Sequence, residues 1–257
     1  MSKALKPLMY SGFHAVEALL RHRPEAVLEV FVQDSRADRE DPRLEALLNE
    51  AHAQGIAVQR ARREVLEKHA GPQHQGIVAR ARPRRSGDEN QLLQWLDGQV
   101  APLLLILEGV TDPHNLGACL RSADAAGVDA VIVPRRHAAG LTPVACRSAA
   151  GAAESLPYYE VGNLGNLLDQ LRQRGVWVVG TALEARSEPL FDFAPPASLA
   201  VIMGAEGAGL KRLTRDKCDQ LLEIPMAGEV QSLNVSVATG VMLFHVRAAR
   251  GRCRQQG

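Results

Sequence analysis

The sequence has few cysteines, few lysines and no long apolar segment, and each of these shortages excludes a class of protein. The four Cys residues are scattered, form no C-x-x-C pair and have no His at ligand spacing. Neither a zinc site nor a disulfide framework is therefore predicted, and free thiols in a reducing compartment are expected. The longest apolar run, Val100–Leu107, is too short to cross a bilayer, and the residues after Met1 begin no signal-peptide core. We expect a cytoplasmic protein that binds neither a metal nor a membrane.

Acidic residues are missing from the end of the chain, and lysine is rare throughout. Of the 30 basic side chains 25 are Arg, and four of these follow the last acid, Glu229: Arg247, Arg250, Arg252 and Arg254. Guanidinium forks suit phosphate better than ammonium groups do, so the excess favours a phosphate-bearing partner. On composition alone, codon bias is the plainer explanation.

The chain has 257 residues, 46% hydrophobic side chains and a formal charge of +1, which is the composition of a globular protein of one large or two modest domains. Short helical and strand patterns alternate near the N-terminus and predict a small α/β domain there. A polar, charged stretch follows and indicates a linker, which includes a short predicted helix at Gln91–Leu96. The predicted divisions are a small domain (1–81), a linker (82–101), a second α/β domain (102–250) and a tail (251–257).

From Leu103 onward, near-continuous apolar runs alternate with helical stretches. This alternation is typical of a parallel sheet that helices cover on both faces. Ligands of such sheets bind at the carboxyl ends of the strands, so the loops there are where chemistry is expected. Trp177 lies inside one predicted strand and is expected in the core. The apolar runs are Leu103–Leu107, Ala130–Val133, Val176–Val179, Leu199–Met203 and, more weakly, Leu221–Ile224.

The loop after the first of these strands carries two candidate functional residues. Asn115 is a favourable N-cap for the helix that follows, because Asn leads the N-cap preference. Arg121 lies about 1.7 turns further into that helix, so its long side chain reaches the same cleft only by turning back. A capped helix with a surface Arg explains the same pattern without any function.

A glycine-rich loop follows the strand Leu199–Met203. Gly204, Gly207 and Gly209 surround Glu206, so that backbone N–H groups can approach a ligand closely. The spacing G-x-x-G-x-G and the late position both differ from the G-x-G-x-x-G fingerprint of dinucleotide-binding folds. Taken alone, the loop is equally explained as a tight turn.

A third loop, Ile224–Ala238, precedes the last predicted helix. Ser232 can cap that helix, and Asn234 adds a polar amide where the helix dipole favours an anion. With the glycine-rich loop, this loop can enclose an adenine and a ribose between apolar side chains, while backbone groups bind the polar edge. The apolar side chains are Ile224, Met226 and Leu233.

In this order, the three loops resemble those of the SpoU/TrmH branch of the SPOUT RNA methyltransferases. The shared patterns are N-x-G-x-x-x-R from Asn115, G-x-E-G-x-G from Gly204 and I-P-M-x-G-x-x-x-S-L-N-V-S-V-A from Ile224. Gly12–Val16 and His74–Ile77 are similar to the N-terminal substrate domain of the same enzymes. The resemblance covers essentially the whole chain and is strongest to members that methylate a guanosine of bacterial 23S rRNA.

The resemblance implies a fold, a cofactor and a reaction. The fold is an α/β domain with a deep trefoil knot, joined to a small N-terminal RNA-binding domain; knots are rare exceptions to ordinary chain topology. The cofactor is S-adenosylmethionine, which Gly204, Ile224 and Leu233 would hold, with Met226 and Gly209 of the same loops beside them. The reaction is ribose 2′-O-methylation of one guanosine in 23S rRNA or a ribosome-assembly precursor, by a homodimer. The family's catalytic and substrate positions match Asn115, Arg121, Glu206, Ser232 and Asn234.

Two roles are open for Arg121. The resemblance implies a base that takes the 2′-hydroxyl proton, but a guanidinium normally stays protonated in proteins. An equally good physical role is a fixed cation that holds the phosphate beside the target ribose and stabilises developing oxyanion charge. In either role Lys cannot replace Arg121, because a Lys side chain keeps the positive charge but lacks the planar guanidinium that donates two parallel hydrogen bonds.

Three alternatives stay open. A transfer-RNA 2′-O-methyltransferase would carry the same loops. An RNA-binding adaptor without catalysis is disfavoured, because a decayed site has no reason to keep all five matching polar residues. A nucleotide-dependent oxidoreductase is disfavoured by the spacing and position of the glycine-rich loop.

Overall fold

The fold is described from a computed structural model, which covers residues 6–38, 40–205, 207 and 209–255, with side chains through residue 251. In chain order the elements are β1 (Leu8–Ser11), α1 (Phe13–His22), β2 (Val27–Gln33), α2 (Asp34–Ala37), α3 (Pro42–Ala53), β3 (Ala57–Ala61), α4 (Arg63–Ala70), β4 (Ile77–Ala81), α5 (Glu89–Leu96), β5 (Leu103–Leu107), α6 (Pro113–Ala126), β6 (Ala130–Pro134), α7 (Pro143–Ser148), α8 (Ala152–Ser155), β7 (Tyr158–Val161), α9 (Leu164–Gln173), β8 (Trp177–Thr181), β9 (Glu188–Pro189), β10 (Leu199–Met203), α10 (Arg212–Lys217), β11 (Gln220–Glu223) and α11 (Val235–Gln255).

The chain folds into two compact units. The first consists of the residues up to Arg85 together with Leu141–Ser155, and the second consists of Ser86–Gly140 and the residues from Leu156 onward. The helices α7 and α8 therefore belong with the N-terminal elements, although they lie between β6 and β7 in the sequence. The predicted domain boundaries after residues 81 and 101 stay a prediction.

The first unit is built on a four-stranded mixed sheet in the order β1-β4-β2-β3. β4 pairs antiparallel with β1 and β2, whereas β3 pairs parallel with β2. Helix α1 presents Val16, Leu19 and Leu20 to the core, and all three are fully buried. Their spacing places them on one face of the helix, which is why this stretch forms an amphipathic helix against the sheet.

A buried ion pair joins α8 to the N-terminal elements of the same unit. The Arg23 guanidinium donates from Nη1 to Oε2 of Glu154 at 2.8 Å, and Glu154 is only 6% exposed. Gly151 lets the backbone approach α1, because a Cβ there would lie 3.0 Å from the Cβ of Ala18. A paired buried charge is costly to break, since the remaining partner is left uncompensated. Residues 141–155 are therefore an integral part of this unit.

The second unit is built on a seven-stranded sheet in the order β7-β6-β5-β10-β8-β11-β9. Every pair of neighbouring strands runs parallel, and β5 and β10 at the centre are completely buried. Strands buried on both faces need the unbroken apolar runs seen in the sequence. The predicted α/β class with a parallel sheet is confirmed, and the knot stays a prediction.

Helix α5 confirms the short helix predicted at Gln91–Leu96 and begins two residues earlier, at Glu89. Its N-terminus has a capping box, in which Asp88 accepts from the N–H of Gln91 and Gln91 accepts from the N–H of Asp88. Leu92 and Leu96 lie one turn apart and are buried in the core of the second unit, and Leu93 and Trp95 pack against the same core. This helix is therefore part of the second unit's core.

One expectation needs correction. Trp177 was expected in the core, but it begins β8 and is 43% exposed. Helix α11 continues to Gln255, into the predicted tail, and residues 256 and 257 lie outside the described chain. Within the described residues, no helix combines the length and apolarity needed to cross a membrane.

Candidate active site

A cavity of about 320 Å³ lies in the second unit at the carboxyl ends of three neighbouring strands, β8, β10 and β11. This is where parallel α/β sheets bind ligands. Thr181, Met203 and Glu223 mark the strand ends in its wall. The five predicted cofactor residues all contribute to its lining: Gly204, Gly209, Ile224, Met226 and Leu233.

The glycine-rich loop folds back onto the end of β10. Ala205 and Gly209 exchange two backbone hydrogen bonds, of 3.2 Å and 2.9 Å, so the loop is closed on itself. Gly209 has a φ of +62°, which favours glycine. A Cβ on Gly204 would lie 2.6 Å from the backbone nitrogen of Leu210, which leaves no space for any side chain. Glu206, the predicted catalytic carboxylate, lies outside the described residues.

A buried carboxylate that the sequence analysis did not single out fixes the next part of this loop. Glu108 directly follows β5 and is 4% exposed. Its oxygens accept from the backbone N–H of Lys211 at 3.0 Å and from the Thr214 hydroxyl at 2.9 Å, and the Lys211 ammonium lies 3.9 Å away. Charge-assisted bonds of this kind are strong when shielded from water. The signal in the sequence is a carboxylate immediately after a fully apolar strand.

Asn115 and Asn234 are brought together from separate loops. The Asn234 side-chain amide donates to Oδ1 of Asn115 at 3.1 Å. Oδ1 of Asn234 in turn accepts from the backbone N–H of Ser236 at 2.9 Å and from its hydroxyl at 2.6 Å. Asn234 thus links the beginning of α11 to the beginning of α6, and the two predicted amides form a hydrogen-bonded pair.

The structure corrects both helix-capping predictions. Asp112, not Asn115, caps α6, with its carboxylate accepting from the N–H of His114 at 3.0 Å and Pro113 at the first helical position. Asn234, not Ser232, caps α11. In α6, Pro113 is favoured in the first turn, which places the cap at Asp112. In both helices several polar residues lie close together, and the one directly before the first helical residue satisfies the free N–H groups. Asn115 and Ser232 are released from capping for other roles.

Ser232 and Arg121 are both exposed, in different places. Ser232 lies in the wall of the cavity. Arg121 lies in the middle of α6, and no described residue forms a hydrogen bond or ion pair with its guanidinium. Among the described residues nothing occupies this guanidinium, so it can reach a phosphate or another anion. Ser232 thus lies at the cavity, and Arg121 is exposed on α6.

The two described thiols of this unit, Cys119 and Cys218, are poor nucleophiles. Burial raises the pKa of Cys119 to about 11 and that of Cys218 to about 12, so both stay protonated at neutral pH. Cys119 instead packs between α6 and α11, with its Sγ 3.4 Å from the Thr239 hydroxyl. Through the described part of the chain, no group of three His, Cys, Asp or Glu side chains is arranged to hold a metal ion. The described polar side chains of the site are the amides of Asn115 and Asn234, the Ser232 hydroxyl and, in the cavity wall, Arg215 and Glu223.

A parallel α/β unit with a closed glycine loop at its strand ends defines a protein that binds a small cofactor there. Comparison with protein families makes this class specific. The SpoU rRNA methylase family matches residues 102–244, and the RNA 2′-O ribose methyltransferase substrate-binding family matches residues 11–86. The chain belongs to the SpoU rRNA methylase family, and the predicted resemblance is confirmed.

Curated relatives and solved structures agree with this assignment. The chain is 53% identical to the 23S rRNA (guanosine-2′-O-)-methyltransferase RlmB of Haemophilus influenzae, over 91% of this chain and 95% of the relative. It is 52% identical to RlmB of Escherichia coli K12, over 92% and 96%. The SpoU methyltransferase AviRb of Streptomyces viridochromogenes, solved in complex with the cofactor AdoMet, has a TM-score of 0.76 at 25% identity and covers 96% of this chain and 91% of its own. An RNA 2′-O ribose methyltransferase structure has a TM-score of 0.78 at 26% identity, covering 95% and 89%.

Proposed function

We propose that the protein methylates the ribose 2′-oxygen of one guanosine in 23S rRNA, with S-adenosylmethionine as the methyl donor. The observation that carries the proposal is the convergence of all five predicted cofactor residues on one cavity at the strand ends. The relatives of that name, which match over more than nine-tenths of the chain, support the substrate. The RNA is taken free or within a ribosome-assembly precursor, in the cytoplasm.

The cavity fits S-adenosylmethionine in size and chemistry. Its volume of about 320 Å³ falls in the range of small-molecule sites, about 300 to 1,000 Å³. Half-buried Ile224, Met226 and Leu233 supply an apolar wall for an adenine ring, and the bare backbone at Gly204 and Gly209 supplies polar groups without side chains in the way. When bound, this cofactor supplies a methyl group activated by a positively charged sulfur.

The catalytic task of the chain is to position and polarise the ribose hydroxyl. Displacement at a methyl carbon demands close, aligned approach, so most of the rate gain comes from orientation. The linked amides of Asn115 and Asn234, with the Ser232 hydroxyl at the cavity, would hold the 2′-hydroxyl toward the cofactor. Arg121 would bind the phosphate next to that ribose and stabilise the negative charge that develops on the 2′-oxygen. The hydroxyl proton leaves to solvent or to a neighbouring group.

The remaining parts of the proposal concern assembly. We propose that the chain works as a homodimer and that its C-terminal segment is threaded through a knot, both as its family implies. Val237 and Phe244 on α11 are 52% and 46% exposed, which favours an apolar contact on that helix. The N-terminal region is proposed to bind the RNA, in keeping with its match to the substrate-binding family.

One incubation tests the reaction, the substrate and the site together. Purified protein, S-adenosylmethionine and unmodified 23S rRNA are combined, digested with nuclease and analysed by mass spectrometry. We expect a single new 2′-O-methylguanosine, absent with Arg121→Ala. Methylation of transfer RNA instead would support the proposed reaction but contradict the proposed RNA substrate. No transfer to either RNA, with cofactor still bound, would overturn the proposal in favour of a binding protein.

A further inference from the structure

The loop after β6 places two guanidinium groups and an imidazole at the carboxyl edge of the parallel sheet. Arg135, Arg136 and His137 directly follow Pro134, the last residue of the strand. All three are exposed, and the reaction as described above does not use them. Because β6 pairs parallel with β5, the loops that follow these two strands lie at the same edge of the sheet, where ligands of such folds bind.

Hydrogen bonds hold this loop at both ends. The N–H of Arg135 donates to the carbonyl of Val161, at the end of β7, at 2.8 Å. The N–H of Ala139 donates to the carbonyl of Val110 at 2.8 Å, and the Ala139 carbonyl accepts from the Tyr158 hydroxyl at 3.4 Å. Ala139 is also buried, at 8% exposure. The backbone that carries the basic side chains is therefore fixed before any ligand arrives, which lowers the free-energy cost of binding.

The bond to Val110 connects the loop to the segment that positions Asn115. Val110 is buried and lies between β5 and α6, and Asn115 lies in the first turn of α6. In the sheet, β5 separates β6 from β10, whose end contributes to the cofactor cavity. Neighbouring strands lie about 4.8 Å apart, so β6 is roughly 10 Å from β10. This distance corresponds to about three nucleotides of a stacked strand, at about 3.4 Å each.

The charges at this part of the edge favour an anion. Among the described residues, no group forms a hydrogen bond or an ion pair with the guanidinium of Arg135 or of Arg136. The acids of the adjoining segments already have partners: Glu108 is buried in its own hydrogen bonds, Asp112 caps α6, and Glu160 of β7 accepts from a serine hydroxyl. Exposed guanidinium groups without a carboxylate partner suit phosphate, whose oxygens accept two parallel hydrogen bonds from the planar fork.

We propose that Arg135 and Arg136 bind backbone phosphates of the substrate RNA, beyond the phosphate next to the target ribose, and so hold that ribose at the cofactor cavity. Both are positioning residues, since contacts to phosphates fix the register of a nucleic acid without reading its sequence. This inference rests on the proposed function for the identity of the RNA. The binding and its salt dependence can nevertheless be measured without any methyl transfer.

The test compares the full chain with a double variant, Arg135→Gln together with Arg136→Gln, in binding to unmodified 23S rRNA between roughly 50 and 200 mM salt. Each lost contact to a single-stranded phosphate lowers the slope of log K against log salt by about 0.7, so the slope should fall by about 1.4. The KM for RNA should rise roughly tenfold, because two charge-assisted hydrogen-bonding groups are removed. Both kcat and the affinity for S-adenosylmethionine should be retained.

Two further double variants serve as controls. Arg172→Gln with Arg174→Gln removes the same charge at exposed positions before β8, at the opposite edge of the sheet, and should keep the slope and the KM of the unchanged protein. Arg135→Lys with Arg136→Lys keeps two positive charges and should restore the salt slope and most of the affinity. Unchanged thermal midpoints show that each variant is folded.

Ethylation of single phosphates, which removes their charge, locates the contacts on the RNA. We expect ethylation at one or two phosphates, about three nucleotides from the methylated guanosine, to weaken binding by the unchanged protein. The same ethylation should add nothing to the glutamine variant of Arg135 and Arg136, because the two changes remove one contact.

The inference is overturned if the folded glutamine variant keeps the salt slope and the KM, or if the same phosphates interfere in both proteins. A loss of affinity without a change in slope would indicate contacts to bases and would also contradict it. Absence of methyl transfer by the unchanged protein would contradict the proposed function and leave the binding comparison valid.

Discussion

The two cavities of this protein have linings of different chemistry. The cavity of the second unit lies at the ends of buried strands and is lined by glycine backbone, apolar side chains and a smaller number of polar and charged ones. That of the first unit is lined mainly by charged and polar side chains around the loop before β4. The first kind suits a small cofactor that is the same in every turnover. The second kind favours a polar ligand over an apolar one. Substitutions in each cavity should therefore have different consequences.

The largest effect is expected from Gly204→Ala, which places a side chain where the glycine-rich loop returns. The added Cβ would lie 2.6 Å from the nitrogen of Leu210. The glycine-rich loop must therefore move, and the cavity that it lines must change shape. Calorimetric titration with S-adenosylmethionine should show affinity lowered by roughly 100-fold or more, equivalent to about 3 kcal/mol. Gly228→Ala, in a neighbouring loop with no atom near its Cβ, should bind normally. Normal binding by Gly204→Ala would show that the loop is not part of the cofactor site.

Arg121→Lys should impair the reaction and spare the cofactor cavity. The fork that grips a phosphate and an oxyanion is lost, so kcat should fall roughly 100-fold, as when one donor to a developing anion is removed. Cofactor affinity should be unchanged, because Arg121 does not contribute to the cavity lining. Single-turnover methylation of 23S rRNA measures the effect, with Arg174→Lys as the exposed control. A variant as active as the original protein would show that Arg121 has no role in the reaction.

Glu108→Gln should produce an intermediate effect on the loop after β10. The amide replaces one of the two carboxylate oxygens that accept from Lys211 and Thr214 by an NH2 donor, and it carries no charge to strengthen the hydrogen bond that remains. We expect the free energy of unfolding to fall by about 1 to 3 kcal/mol, and cofactor affinity to fall with it. Urea unfolding measures the first quantity, and exposed Glu229→Gln is the control. Equal stability of the two variants would show that Glu108 does not stabilise the loop after β10.

The smallest effect concerns the first cavity and the pH. Burial lowers the pKa of His74 below its unfolded value of about 6.5, so the unfolded chain takes up this proton more readily than the folded one. Stability should therefore fall as the pH drops through about 6.5, more for the original protein than for His74→Phe. Thermal unfolding between pH 7.5 and 5.5 provides the comparison. Parallel curves for the two proteins would contradict a neutral, buried His74.

The same contrast explains what the sequence could and could not reveal. The strand Leu199–Met203 and the glycines after it were predictable, because apolar runs and glycine spacing are local signals. The roles of Asn115 and Ser232 at helix ends were predicted wrongly, since several polar residues in a row compete for one cap. The exposure of Trp177 was predicted wrongly, because an apolar run does not show that its first residue is half-open to solvent.

The polar cavity was beyond prediction for a different reason. It needs Arg36, Asp41 and His74 to meet from three separate elements, and no periodicity connects them. His74 and Gln75 belong to the stretch that resembles the family's substrate domain, but the resemblance identifies no partner for either side chain. Long-range juxtaposition of single polar residues leaves no pattern in one sequence.

The interleaved origin of the first unit has a consequence for how the protein is made. Domains generally fold as the chain emerges during synthesis, at about 5 to 20 residues per second. This unit, however, closes its buried ion pair between Arg23 and Glu154 only when residues 141–155 arrive. Between residue 85 and residue 155 the nascent chain must therefore wait roughly 4 to 14 seconds with α1 lacking its partner helix. During that interval, strands of the catalytic sheet have already appeared, so the two units complete their folding together and not one after the other.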